Sequence, residues 1–415
     1  MGDLVERPAQ NDRPARWRPL LVLLAALIGA PPAAGTVLEG NRHATDHREA
    51  GPAQERQLIE ALDALRDNRP DEARRILERL LAAHPRFRLA QLVYADLLQA
   101  RVRPLQAFGQ GAPRERLADL DAEARVRWAH YVSPPPPDSV PRAVVQVDRS
   151  HPYVLVIELN RNRLYVLDNR QPVPTLVGDY YISMGKKGPA KLKRGDKRTP
   201  IGVYHVTAHL SASRLPDFYG AGAFPINYPN DWDRRQGRTG SGIWLHGAPS
   251  DTYSRPPRAS DGCVVLSNPD FEHLGRYVES GRTPVVITPE IRWLDRAAWQ
   301  AQRQQLLGLL ETWRRDWESR DADRYLRHYH PDFRGRGMDL AAWRAYKRRV
   351  NAGKKFIRVE LKEINLFHYP GEKDLLVATF RQHYRSDNHE STSRKRLYWR
   401  RDASGRWRIL YEGPA

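Results

Sequence analysis

The sequence predicts a multidomain chain: an N-terminal α-helical segment, a central β-rich domain and a C-terminal α+β domain. Three observations predict this. Apolar residues recur with a period near 3.6 over residues 54–100. Short apolar runs bounded by turn residues fill 148–288. Helical periodicity returns after residue 290 and then gives way to a run of strands. A length of 415 residues fits three domains at about 150 residues each. Hydrophobic content of 40% and a mean hydropathy of −0.68 suit several modest cores and exclude a multispanning membrane protein.

Residues 1–35 read as an export signal. Arg13, Arg16 and Arg18 precede an apolar run from Leu20 to Ile28, and the small residues Ala30, Ala33, Ala34 and Gly35 follow. The run is shorter than the ~20 apolar residues that span a bilayer, so a cleavable signal, a periplasmic location and no stable membrane span are expected. No cysteine follows it, which excludes a lipoprotein. With 68 basic and 49 acidic residues, the net charge of +19 either attracts polyanions such as cell-envelope polymers or reflects an arginine-rich solvated surface. Export, and the lack of an aromatic-interleaved basic stripe, argue against nucleic acid as a partner. His43 and His47 have metal-like i, i+4 spacing but no third ligand in view. No metal or cofactor is expected.

The segment 36–132 opens on a polar leader and continues as helices. Leu58, Leu62 and Leu65 mark the first. Asn68-Arg69-Pro70-Asp71 ends it and starts the second, which carries Ala73, Ile76, Leu77, Leu80 and Leu81. A third carries Leu89, Leu92, Val93, Leu97 and Leu98. This pattern resembles about one and a half tetratricopeptide repeats (TPR-like), implying a module for protein partners. Residues 133–147, opening Ser-Pro-Pro-Pro-Pro, read as a semi-rigid polyproline spacer.

Residues 148–290 form the β-rich domain. Tyr153–Asn160 and Arg163–Leu167 flank Asn160-Arg161-Asn162 as a hairpin. Further strands are expected at 177–183, 202–208, 242–246, 263–266 and 284–287. The C-terminal part, 300–415, is entered by a helix from Trp293 to Trp317. Helices at 321–329 and 340–350 follow, then strands at 355–366, 375–384, 394–401 and 407–411.

Cys263 is the only cysteine, in Ser260-Asp261-Gly262-Cys263, seventeen residues after His246-Gly247. An unpaired cysteine is either an inert buried hydrophobe or a reactive thiol. The small neighbours and an upstream histidine favour a nucleophile, which needs a base or a positive field to form thiolate. The basic run Lys186 to Arg198 lacks a phosphate-loop pattern and is either a solvated loop or an electrostatic lip for anionic polymers.

Around these residues the sequence resembles the YkuD-type L,D-transpeptidases of bacterial cell walls. The resemblance rests on Ser183-Met-Gly185, Gly195-Asp-Lys-Arg-Thr-Pro-Ile-Gly202, Ile226-Asn-Tyr-Pro229 with Ile243-Trp-Leu-His-Gly247, and Ser260-Asp-Gly-Cys263. It implies a YkuD fold over 148–290 and an acyl-enzyme on peptidoglycan stem peptides. Cys263 is then the nucleophile, His246 the general base and the Gly247 carbonyl the group that orients it. Gly262 and Cys263 supply oxyanion N–H groups; Ser260 contacts substrate or tethers the loop, Asp261 contacts substrate, and Tyr228 shapes the substrate cleft or belongs to the core. Two positions depart from the family pattern: Asp261 stands where many members carry His, and Val265 where many carry Arg. Asp261 is expected to point away from the sulfur or to bind a substrate ammonium. Trp317 to Asp321, Tyr325, Tyr329, Phe333, Trp343, Phe380 to Tyr384 and Trp407 to Ile409 resemble an NTF2-like domain. Cell-shape L,D-carboxypeptidases pair such a domain with the catalytic one. The implied reaction is transfer of the acyl group to an amine. Hydrolysis by water, amidase release of wall-linked protein and a non-catalytic wall-binding scaffold are the alternatives.

Overall fold

The structure, a computed structural model, describes residues 51–415. The signal and leader readings over 1–50, with His43 and His47, lie outside the described residues.

Four helices open the fold: α1 (Ala53–Arg66), α2 (Pro70–Ala83), α3 (Arg88–Ala100) and α4 (Arg114–Val132). Pro70 sits at the first turn of α2, where its missing N–H costs nothing. Leu58, Leu62, Leu65, Leu77, Leu80, Leu89 and Val93 meet in one core. Sequence reasoning missed α4. Its buried face carries Glu123 and Arg127 beside Ala124 and Trp128, so it lacks a clean apolar stripe.

The stretch read as a spacer is part of the folded body. It ends in β1 (Ser139–Pro141) and β2 (Val144–Gln146), and Val140, Val144 and Val145 are fully buried. Their apolar side chains gain more from burial than the stretch would as a solvated spacer.

The central domain contains β3 (Tyr153–Glu158), β4 (Arg163–Asp168), β5 (Thr175–Tyr181), β6 (Met184–Gly185), β7 (Gly202–His205), β8 (Leu210–Ser211), β9 (Gly222–Pro225), β10 (Trp244–His246), β11 (Arg258–Ser260), β12 (Val264–Val265) and β13 (Pro284–Thr288). Helices α5 (Asp231–Arg235) and α6 (Asn268–Leu274) interrupt it. One sheet has the order β5-β4-β3-β13-β7, the other β12-β10-β9-β8, and β11 pairs with β6. Leu155, Ile157, Leu164, Val166, Phe224, Leu245 and Val264 fill the space between the two sheets. Residues of β3 on the opposite face, Val154 and Val156, enter a second core with Phe367, Leu375, Val377 and Tyr398 of the C-terminal part. Burial on both faces explains the unbroken apolar run of β3.

The C-terminal part begins with β14 (Trp293–Asp295), which pairs with β1. The helix expected from Trp293 therefore starts later, as α7 (Arg296–Glu318), where Asp295 accepts a bond from the Ala298 N–H. Then come α8 (Ala322–Leu326), β15 (Tyr329–Gly335), β16 (Met338–Asp339), α9 (Leu340–Ala352), β17 (Ile357–His368), β18 (Leu375–Ser386), β19 (His389–Arg401) and β20 (Trp407–Pro414). The seven-stranded sheet runs β16-β15-β20-β19-β18-β17-β2. Sequence reasoning missed β15, whose Pro331 and register shift against β20 mask any alternation.

A cavity of about 560 Å³ opens in this curved sheet, lined by Trp317, Trp343, Lys347, Gln382, Tyr384 and Glu412. The Lys347 ammonium lies 4.4 Å from the Trp317 ring and 4.6 Å from the Trp343 ring. Burial pulls its pKa down to about 8, against the attraction of Glu412. The Trp343 indole N–H and the Gln382 side-chain oxygen are buried there without partners.

Candidate active site

Two short parallel strands bring His246 and Cys263 together. Leu245 of β10 pairs with Val264 of β12, and His246 pairs with Val265. Cys263 immediately precedes β12, so a parallel return after one excursion of the chain accounts for the seventeen-residue spacing. The Trp244 backbone N–H is directed at the Cys263 sulfur, and the thiol lies 3.5 Å from the Gly242 carbonyl.

His246 is fully buried. Its Nδ1 lies 2.7 Å from the Gly247 carbonyl oxygen, which can only accept, so Nδ1 carries the proton. The other ring nitrogen, Nε2, is buried without a hydrogen-bond partner. Burial lowers the His246 pKa to about 4; the Gly247 contact opposes this and the Arg255 charge adds to it. Burial also raises the Cys263 thiol, which Trp244, Arg255 and Lys191 pull down and Asp261 pushes further up. Near neutral pH the resting pair is therefore a neutral imidazole and a thiol.

Gly247 is required by space: a Cβ there would lie 2.2 Å from the Asn268 side-chain oxygen. Gly262 has φ +131°, and a Cβ would lie 2.8 Å from the Arg198 carbonyl. The Gly262 N–H does not stand free for an oxyanion. It donates to Ser260 Oγ at 3.1 Å. Ser260 in turn donates to the Cys263 carbonyl at 2.6 Å and is buried, so it tethers the loop instead of facing substrate. Tyr228 takes the core alternative. It is buried, with its hydroxyl donating to the Thr239 carbonyl at 3.1 Å. Asp261 is exposed and pairs with Lys186 at 3.3 Å. Val265 is buried and presents no cation.

Several neighbours escaped sequence reasoning. Phe218, Tyr219 and Trp244 form an aromatic wall, with the Phe218 and Tyr219 rings 5.7 and 5.1 Å from His246 and Tyr219 4.8 Å from Trp244. Arg255 stacks on Phe218 at 4.6 Å. Nothing in the local sequence marks Phe218 or Arg255. The basic run is organised internally: Lys191 donates to Asp196 at 2.8 Å and to the Lys193 carbonyl. Burial alone would raise Asp196, but Lys191 and the N–H groups of Lys193, Leu192 and Arg198 hold it at about 2.

Comparison with known proteins finds two matching families. Residues 152–287 match the L,D-transpeptidase catalytic domain, YkuD, and residues 305–413 match the Cds6 C-terminal NTF2-like domain. The chain thus carries a YkuD L,D-transpeptidase catalytic domain followed by an NTF2-like domain. Among solved structures, Bd1075 of Bdellovibrio bacteriovorus is 28% identical with a TM-score of 0.59, over 67% of this chain and 98% of that one. The helical cell shape determining protein Pgp2 from Campylobacter jejuni is 25% identical with a TM-score of 0.55, over 66% of this chain and 94% of that one. A point variant of Pgp2 aligns over 73% of this chain and all of that one, at 23% identity and a TM-score of 0.56. A search of curated proteins returns no match. No helix among the described residues is long and apolar enough to cross a membrane.

Proposed function

We propose that this chain is a periplasmic cysteine acyltransferase acting on peptidoglycan tetrapeptide stems. One observation carries the reading: His246 donates from Nδ1 to Gly247, leaving Nε2 unpaired on the strand beside Cys263. In this scheme Nε2 takes the thiol proton as the sulfur attacks the peptide carbonyl carbon. The carbon–nitrogen bond then breaks, and the same nitrogen returns the proton to the leaving amine. A thioester remains on Cys263. Backbone N–H groups of the cysteine loop other than Gly262's stabilise the oxyanion, an effect of about 3 kcal/mol per donor.

Attack on the thioester by an amine makes the reaction a transpeptidation; attack by water makes it a carboxypeptidation. The likeness over 66% of this chain to a helical cell shape determining protein supports weighing the second resolution alongside the first. The NTF2-like cavity, with Lys347 framed by tryptophans, serves to bind and position wall material and does no chemistry. The N-terminal helices act as a TPR-like docking module. The test is incubation with defined tetrapeptide muropeptides and product identification by mass. Cross-linked or exchanged products mean transpeptidation, and tripeptides mean carboxypeptidation. Turnover that survives Cys263→Ala would remove the reading.

A further inference from the structure

The guanidinium of Arg255 is half-buried beside the candidate site, yet among the described residues it forms no ion pair or hydrogen bond. Its contact is with the face of Phe218, 4.6 Å away, and Phe218 in turn lies 5.7 Å from the His246 ring. Asp261, whose charge acts on Arg255, is engaged by Lys186 at 3.3 Å. A partly desolvated cation with no anion is costly to keep, so such a group is poised for an anion that arrives with a ligand.

The main chain around Arg255 is fixed on both sides. Tyr253 stacks on Phe87 of the helical domain at 4.1 Å, and Ser254 donates to Glu123 of α4 at 2.7 Å. The Arg255 carbonyl accepts from the Tyr181 hydroxyl at 2.9 Å, and the Pro256 carbonyl accepts from Ser183 at 2.5 Å. A rigid backbone therefore presents a head group that nothing else holds. The helical domain, remote in sequence, contributes to that placement.

We propose that Arg255 is a specificity-determining residue whose guanidinium receives the α-carboxylate of the residue that leaves when the acyl-enzyme forms. This rests on the acyltransfer reading above. His246 protonates the leaving amine, and in a C-terminal residue the carboxylate carbon lies about 2.5 Å from that nitrogen. The Arg255 charge acts on both His246 and Cys263, and its contact with Phe218 sets it against the aromatic wall that flanks His246, within the neighbourhood that carboxylate would enter. The chain so supplies from a neighbouring loop the cation that Val265 cannot. The consequence is selection of stems ending in a free carboxylate. An amide-linked leaving group without one, as in release of a wall-attached protein, is disfavoured.

The experiment uses the full chain with Cys263→Ala and two tetrapeptide stems, one with a C-terminal carboxylate and one with a carboxamide. The acid binds more tightly than the amide. Adding Arg255→Gln weakens the acid by about tenfold to a hundredfold, the range for a charged hydrogen-bonded pair, and leaves the amide unchanged. Arg255→Lys falls between. With Cys263 present, Arg255→Gln raises KM for the acid more than it lowers kcat. An equal effect on both peptides, or none on either, overturns the proposal. If the acid preference stands but the unmodified protein turns over neither peptide, the carboxylate site is upheld and the acyltransfer reading fails instead.

Discussion

The Thr199 hydroxyl donates to the Gly262 carbonyl at 3.0 Å and accepts from the Gly185 N–H at 2.9 Å. Thr199 is fully buried. This one side chain joins the Thr-Pro turn, β6 and the cysteine loop, three stretches of the motif that are far apart in sequence.

Thr199→Val keeps the volume but leaves two buried backbone groups unpaired. Stability is expected to fall by about 1–3 kcal/mol in a denaturant titration. Thr199→Ser restores most of it. Equal stability of the Val and Ser variants would mean the hydroxyl does not hold the loop.

The acid limb of kcat/KM should lie near pH 4, far below the usual histidine value, because burial lowers His246 to about 4. Below that pH the ring is protonated and cannot accept the thiol proton; above it the base is free. Removing the exposed aromatic cover with Phe218→Ala rehydrates the ring and shifts the limb upward. A wild-type limb near 6.5 would contradict a desolvated base.

The helical and catalytic domains are locked by buried charges. Arg163 binds Glu55 at 2.9 Å and Asp179 at 2.7 Å, while Arg127 binds Glu55 at 2.8 Å. Burial alone would raise Glu55, but Arg163 and Arg127 outweigh it and hold its pKa at about 2, below the ordinary 4.5. A carboxylate depressed on folding stabilises above its unfolded pKa and loses that contribution as pH falls. The loss therefore runs from about pH 4.5 down to 2. Glu55→Gln, which takes one carboxylate from each of two buried arginines but leaves Asp179 on Arg163 and Glu123 on Arg127, costs about 1.5–3 kcal/mol at pH 7 and flattens that part of the pH–stability curve. Thermal unfolding across pH reads both effects.

Trp232 couples the catalytic domain to the C-terminal one. Its indole N–H donates to Glu372 at 2.9 Å, and its ring lies 4.8 Å from Tyr398. Trp232→Ala is expected to destabilise by about 3–5 kcal/mol. The two domains should still unfold together, since β3 and β13 remain covered by the same mixed core. Separate transitions in calorimetry of the wild-type chain would contradict this coupling.

The sequence by itself determined the order of folded parts, the paired positions of His246-Gly247 and Ser260 to Cys263, and most long elements. Those features are local: helical period in α1 to α3, apolar runs in β3 and β4, and a motif whose glycines are demanded by close backbone approach at Gly247 and Gly262. Tertiary structure alone decided the rest. Strands of two residues such as β6, β8 and β12 carry no periodic signal and exist only through pairing. Helix α4 buries Glu123 and Arg127, which read as surface until Glu55 and Arg163 are brought beside them. The proline-led stretch became β1 and β2 because its valines found a core supplied by residues more than a hundred positions away. Arg255 and Phe218 meet at His246 for the same reason. Their contact is a product of loop packing, and no spacing rule along the chain encodes it.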